Sequence, residues 1–240
     1  MLDRPFQPYG KQGVPTFPHV HCNDSKVLIV TGKRVDTIES TGAILQKWNK
    51  YSEKSVIRLT SVQIFLSQIE NFCRHSASMK VRPYGEPHSG LSQALYRIPV
   101  GDQEMLSSDT GKMQRSTMES EAGYKALHSY IEISNNSSLR LFLEDSGFAG
   151  NWAILGPYLS VLYRMSGRRP FITKNGYLDI NPANLKPNDQ LCIFIGAHTP
   201  YIIRALGNDC YLLVGDAYVY GVMDGKFMEN NSAEATFLIE

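Results

Sequence analysis

Residues 167–228 read GRRPFITKNGYLDINPANLKPNDQLCIFIGAHTPYIIRALGNDCYLLVGDAYVYGVMDGKFM. Short apolar runs alternate there with clusters of Gly, Pro, Asn and Asp, the punctuation of a strand-rich unit. Phe171-Ile172-Thr173 and Tyr177-Leu178-Asp179 flank Lys174-Asn175-Gly176, and an Asn-Gly pair between two such runs predicts a hairpin. The Pro187-Asn188-Asp189 turn leads into LCIFI at 191–195, and PYIIRA at 200–205, CYLLVG at 210–215 and AYVYGVM at 217–223 follow. The spacing predicts a small antiparallel, curled sheet or partly closed barrel. Its expected core is Leu191, Ile193, Ile195, Ile203, Leu212, Val214 and Val219.

Working back from this unit, the periodicity becomes helical. Pro157 suits a first helical turn, with Leu159, Leu162, Tyr163 and Met165 behind it and Gly167 at its end. Tyr124, Leu127, His128 and Ile131 make another helical stripe, and LRLFL at 139–143 is a further apolar piece. Thr60 and Gln63 have capping-box spacing ahead of Val62, Phe65, Leu66, Ile69, Phe72 and Cys73. A short helix at 91–96 ends before Pro99. Ser40 or Thr41 is a candidate cap for a helix running toward Trp48 and Tyr51. KVLIV at 26–30 and RVDTI at 34–38 read as two strands turned by Thr31-Gly32-Lys33. Between Gly101 and Gly123 there is no Phe, Tyr, Trp, Ile or Val, so apolar burial cannot offset ordering entropy there and a mobile 101–122 insert is expected. The predicted fold is α+β: a Pro- and aromatic-rich arm over 1–25, a mainly helical body over 26–167, a β-rich or barrel-like unit over 168–228 and a tail over 229–240.

Of 240 residues, 42% are hydrophobic and 20% charged, which excludes disorder as the main state. Lys and Arg total 24 against 23 Asp and Glu, so no global charge draws the chain to nucleic acid or an anionic membrane. The longest apolar stretch, 191–197, falls far short of the ~20 residues of a spanning helix. With no apolar leader, the sequence reads as cytoplasmic. Cys22, Cys73, Cys192 and Cys210 include no C-x-x-C pair and read as free thiols.

A search for chemistry assigns no catalytic residue, metal or cofactor. Gly-Lys at 10–11, 32–33, 111–112 and 225–226 is never followed by Ser or Thr, so there is no P-loop, and no G-x-G-x-x-G occurs. His19-Val20-His21-Cys22 with Cys73 and His75 is the one cluster suggesting zinc, but no ligand spacing supports it. There is no G-x-S-x-G elbow. Cys192, inside an apolar strand, is expected to be buried with its pKa raised rather than activated. Asp189, Asp216 and Asp224 fall in turns, where local capping accounts for them. Arg164, Arg168 and Arg169 near a helix end complement its dipole.

In order along the chain, Arg168, Arg169, Phe171, Thr173, Gly176, Tyr177, Pro187, Asp189, Gly196, Pro200, Arg204, Gly215, Asp216, Tyr218, Val219, Gly221, Met223, Asp224 and Gly225 form a pattern that resembles the C-terminal portion of fungal heterokaryon incompatibility (HET) domain proteins. Upstream, Val35-Asp36-Thr37-Ile38, Ala94-Leu95-Tyr96-Arg97 and Val100-Gly101-Asp102 look like further family pieces in register, extending the resemblance over about 25–228. The family often has Gly-Leu-Gly-Pro where this chain has Asp179-Ile180-Asn181-Pro182, and it commonly has His at Tyr220 and Glu at Lys226. The HET domain itself has no counterpart here. The resemblance implies a non-enzymatic recognition or regulatory module of fungal nonself recognition with a protein partner, such as a HET-domain protein. Asp189, Arg204, Asp216, Tyr218 and Asp224 would mostly hold the β unit together, with Arg204 pairing with Asp216 or Asp224, and Arg168 and Arg169 join them as structural or ligand-binding residues. The alternative is a small-molecule or nucleotide-binding regulator with weak hydrolase activity, its site lined by Arg168, Arg169, Arg204 and Asp224.

Overall fold

The computed structural model describes residues 21–22, 27–47, 55–79, 83, 91–105, 112–135, 152–223, 225–229 and 233–240. Most of the 1–25 arm, His19, the Trp48–Tyr51 segment, LRLFL at 139–143 and Asp224 lie outside the described residues. The elements begin with β1 (His21–Cys22), β2 (Leu28–Thr41) and α1 (Ser55–Ser78). Then come α2 (Leu91–Arg97), a 3₁₀ turn at Ile98–Val100, β3 (Gln103–Met105) and β4 (Met113–Arg115). The helices α3 (Met118–Asn135) and α4 (Trp152–Arg164) precede the strands β5 (Arg168–Thr173), β6 (Leu178–Pro182) and β7 (Gln190–Phe194). Last are β8 (Tyr201–Gly207), β9 (Cys210–Asp216), β10 (Tyr218–Val219) and β11 (Glu234–Ile239). Helix and strand are comparable in extent. The chain is a mixed α/β fold with a C-terminal sheet region, not the mainly helical body with a small appended β unit that the sequence predicts.

The Asn-Gly hairpin forms as expected: β5 and β6 pair antiparallel, with Gly176 at φ 88° in the turn between them. Upstream, the expected hairpin over 26–38 is instead a single strand of 14 residues, β2. Gly32 does not turn the chain. A Cβ there would collide with the Ile193 carbonyl and lie 2.9 Å from Phe194 Cα, so glycine lets β2 run close against β7. β2 pairs with β11 through 28–33, with β7 through 32–37 and with β5 through 38–41, and bulges between Arg34 and Asp36 and between Ile38 and Ser40 shift its register. Since β11 also pairs with β9, β9 with β8 and β8 with β7, the ladders return to β2. The segment read as a tail thus supplies β11, seated between β2 and β9.

Two apolar clusters lie on opposite faces of the β5–β6 hairpin. On one face Ile172, Leu178 and Ile180 pack with the helices, against Phe65, Leu66 and Ile69 of α1, Leu127 of α3 and Leu155 and Leu162 of α4. On the other, Phe171 packs with Ile38, Leu191, Ile193, Ile202, Val214 and Val219. A third cluster draws Val30, Cys192, Phe194, Ile203, Tyr211, Phe237 and Ile239 from β2, β7, β8, β9 and β11. Of the expected β core, Leu212 is 40% exposed and Ile195 half-buried, because bulges in the β8–β9 ladder break the simple alternation.

The helical half differs in detail. α1 starts at Ser55, which puts Thr60 inside it, and residues 42–47 are irregular. α4 starts at Trp152, so Pro157 lies inside the helix, near an end whose residues 152–154 are exposed to solvent. The stretch expected as a mobile insert carries β3, β4 and the start of α3, with residues 106–111 outside the described set. Hydrogen bonds to the buried carboxylates of Asp102 and Glu104 order it, beside Met105 and Met113, which pack against the helical core.

Candidate functional site

Polar groups gather where α2, the β3–β4 pair and the edge of the sheet meet. α2 and its 3₁₀ extension end at Gly101 and Asp102, both left-handed (φ 59° and 54°), with the Asp102 amide donating to the Arg97 carbonyl at 2.8 Å. This turn delivers the fully buried Asp102 carboxylate between two guanidinium groups, Arg115 Nε at 2.6 Å and Arg97 Nη1 at 3.0 Å. Burial pushes that carboxyl upward and Arg115 and Arg97 pull it back. With two cations in direct contact, the ionised form is the one the geometry holds. Tyr218, paired in register with Ile180, lies beside this group; burial foremost, and then the Asp102 charge, push its phenol well above the ordinary value.

Glu104 serves an adjacent structural purpose. Its carboxylate accepts from the Thr117 and Ser120 amides at 2.9 and 3.1 Å, the Ser120 hydroxyl at 2.6 Å and Gln114 Nε2 at 2.9 Å. The first two are orphan donors at the start of α3, which this side chain caps from a strand. Burial would raise the Glu104 carboxyl, but the bonds from Ser120, Thr117 and Gln114 outweigh it and hold it below the ordinary value.

The residues singled out from the sequence do not converge on one site. Arg204 pairs with Asp189, not with Asp216: Nε to Oδ1 is 2.7 Å and Nη2 to Oδ2 2.8 Å, a bidentate contact. Asp189 Oδ2 also accepts from the Lys186 amide at 2.8 Å, closing its own turn, and Arg204 Nη2 reaches the Asn184 carbonyl at 2.8 Å. Hydrogen bonding to Asp189 pushes the Arg204 guanidinium upward. Register explains the pairing: Arg204 stands across from Leu212 on β9, while its β8 neighbour Ile203 pairs with Gln190, next to Asp189. Asp216 instead meets Arg168 at 3.7 Å on the surface. Arg169 donates through Nε to the Gly42 carbonyl at 2.8 Å and through Nη1 to those of Ala183 and Leu185 at 3.4 Å. Asp224 lies outside the described residues.

Sequence reasoning gave no site role to several buried polar side chains: Asp102 and Glu104, then Asp179 and Asn181 on β6. For the last two the available signal was a strand that places Asp and Asn on the face opposite Leu178 and Ile180. Cys192 is buried and its thiol pushed up to about 12 by that burial. Among the described residues, no three His, Cys, Asp or Glu are grouped to hold a metal. A cavity of about 490 Å³ lies between β3, α3 and α4, lined by Glu104, Met105, Ser120, Ile154, Tyr158 and Val161 among others; of the residues singled out from the sequence, none of Arg168, Arg169, Asp189, Arg204, Asp216 and Tyr218 borders it. No helix among the described residues is long and apolar enough to cross a membrane.

Comparison with known proteins gives the relatives of the C-terminal region. Residues 149–239 match the model of the Het-6 beta-barrel domain. The chain is also 28% identical over 164 residues to heterokaryon incompatibility protein 6, OR allele, of Neurospora crassa. That alignment covers 61% of this chain and 24% of the relative, so the chain spans about a quarter of that protein's length. The C-terminal β-rich domain is homologous to the Het-6 incompatibility protein. No solved structure matches the chain.

Proposed function

We propose that this chain is a non-enzymatic, cytoplasmic recognition or regulatory module of HET-6-related heterokaryon incompatibility, binding a protein partner that carries a HET domain. The observation that carries the reading is the homology of residues 149–239 to the Het-6 beta-barrel domain. The chemistry of the arginines supports it. Arg204 and Arg169 are committed to Asp189 and to backbone carbonyls, and Arg168 faces Asp216, so these cations serve turns and strand junctions rather than an open anion-binding cleft. In this reading Asp189, Arg204, Arg168, Arg169, Asp216, Tyr218 and Asp224 are structural. The body over 26–167 and the barrel-like unit over 168–228 work as one piece, because β2 from the body and β11 from the C-terminus share the sheet.

The test is crosslinking of the native protein in cytosol followed by mass spectrometry, with Arg204→Ala as a companion. That variant leaves Asp189 buried without its cation and is expected to lose about 2–3 kcal/mol in denaturant unfolding. The reading expects a HET-domain protein crosslinked to 149–239 in the wild type, with contacts retained by whatever fraction of Arg204→Ala remains folded. A tightly held small molecule in native mass spectra, released by Arg204→Ala, with no such crosslink, would contradict it.

A further inference from the structure

On β6, Leu178 and Ile180 belong to the helical core, and the pleat turns Asp179 and Asn181 to the opposite face. Around Asp179 that face is apolar, while Asn181 stands across from Arg169 of β5. Asp179 stands in register between Phe171 on β5 and Val219 on β10, both members of the strand-side cluster. Asp179 is 1% exposed and Asn181 0%. Asp179 Oδ1 accepts from the Ile180 amide. Its Oδ2, and both the carbonyl oxygen and the amide nitrogen of Asn181, have no hydrogen-bond partner among the described residues.

An ionised carboxylate in such a place needs a cation in contact. The charges around β6 do not supply one. On β5, Arg168 draws the Asp179 carboxyl down through its charge, but its contact is with Asp216 of β9 at 3.7 Å, whose own charge pushes the other way, and Arg169 is bonded to three backbone carbonyls. On β10, Tyr218 adds only a phenol. α1 and the 98–100 turn pack on the other face; they bring Glu70, Arg74 and His75 and, next to the turn, the Arg97–Asp102 pair. The buried neutral form, by contrast, needs only hydrogen bonds. A water molecule, which donates twice and accepts twice, can serve a carboxylic acid and a carboxamide two residues apart on one strand face.

We propose that Asp179 and Asn181 form an internal site for a proton and a water molecule, in which Asp179 enters the folded sheet as a neutral carboxylic acid. Folding then takes up a proton over the neutral range. Burial pushes the Asp179 carboxyl well above the ordinary value, in the same direction. The sign follows from linkage: the contribution is complete below the unfolded carboxyl value of about 3.9 and is lost as pH rises toward the folded value.

The test is denaturant unfolding of the wild type and Asp179→Asn from about pH 5 to about pH 8. The folding constant of the wild type should fall relative to that of Asp179→Asn by about tenfold per pH unit until the folded group ionises. A ratio independent of pH would overturn the proposal. Isotope-edited infrared spectra of carboxyl-labelled aspartate in the wild type do not depend on that variant folding. A protonated-acid band at neutral pH, retained in Asp102→Asn, supports the site, and its absence refutes it. Nuclear Overhauser contacts from the Asn181 amide protons to bound water are expected, and a dry carboxamide would contradict the water.

Discussion

The helical side of the β5–β6 hairpin and its strand side both bury carboxylates, and they neutralise them differently. On the helical side Asp102 is held between two arginines, and Glu104 accepts from two amides, two hydroxyls and a carboxamide at the start of α3. On the strand side Asp189 has a single bidentate arginine plus its own turn amide, while Asp179 has only a backbone amide. The helical side has no Phe, Tyr, Trp, Ile or Val over 101–123 and uses buried carboxylates, beside Met105 and Met113, to hold β3, β4 and the start of α3. The strand side has apolar surface in abundance and uses charge only where a turn must close. The same residue type therefore organises a loop in one region and locks a turn in the other.

Removing Asp102 should break this contrast most severely. Asp102→Ala leaves Arg97 and Arg115 in contact without their anion and puts alanine at a positive φ. We expect a loss of about 3–5 kcal/mol in denaturant unfolding. Asp102→Asn tolerates that backbone and removes the charge, so it should lose less; equal losses would show that the positive φ contributes nothing and that the pairing with the two arginines carries the whole effect.

A smaller effect sharpens the comparison through pH. Glu104→Gln puts an amide donor among five donors and should cost about 1–3 kcal/mol at neutral pH. Because the folded Glu104 carboxyl is held below its ordinary value, its contribution is present above the unfolded value of about 4.3 and is lost as pH falls through the folded one. Unfolding of the two proteins should therefore converge in acid. A gap that persists unchanged there would assign the loss to shape rather than to charge.

The turn chemistry of 171–179 made the β5–β6 hairpin legible, and three- and four-residue spacing did the same for α1 and α3. β2 was not legible, since Thr31-Gly32-Lys33 carries turn residues and only the approach of Ile193 and Phe194, distant in sequence, shows why glycine belongs in a strand. β11 was missed because a strand of Glu234-Ala235-Thr236 followed by Phe237-Leu238-Ile239 alternates poorly, and its place depends on β2 and β9 waiting on either side. The strands β3 and β4 and the start of α3 were missed because composition reports apolar burial and not hydrogen bonding. At the candidate site, Arg204 was recognised as one half of an ion pair, but its partner is set by strand register, which spacing along the chain does not reveal. Asp179 and Asn181 stood out as departures from the glycines of the resembling family, yet only the sheet's two-sided packing shows them to be buried.

The account depends most on β2, which lies outside the matched residues 149–239 and yet joins β11 to β7. The direct test is denaturant unfolding of the fragment 149–240, alone and with an excess of a peptide spanning 27–47. Without β2, the fragment leaves β5, β7 and β11 each without a partner on one edge and should show no cooperative transition, and the peptide should restore one whose midpoint rises with peptide concentration. A fragment that unfolds cooperatively by itself, at the midpoint of the whole chain and indifferent to the peptide, would contradict the claim that both ends of the chain build a single module.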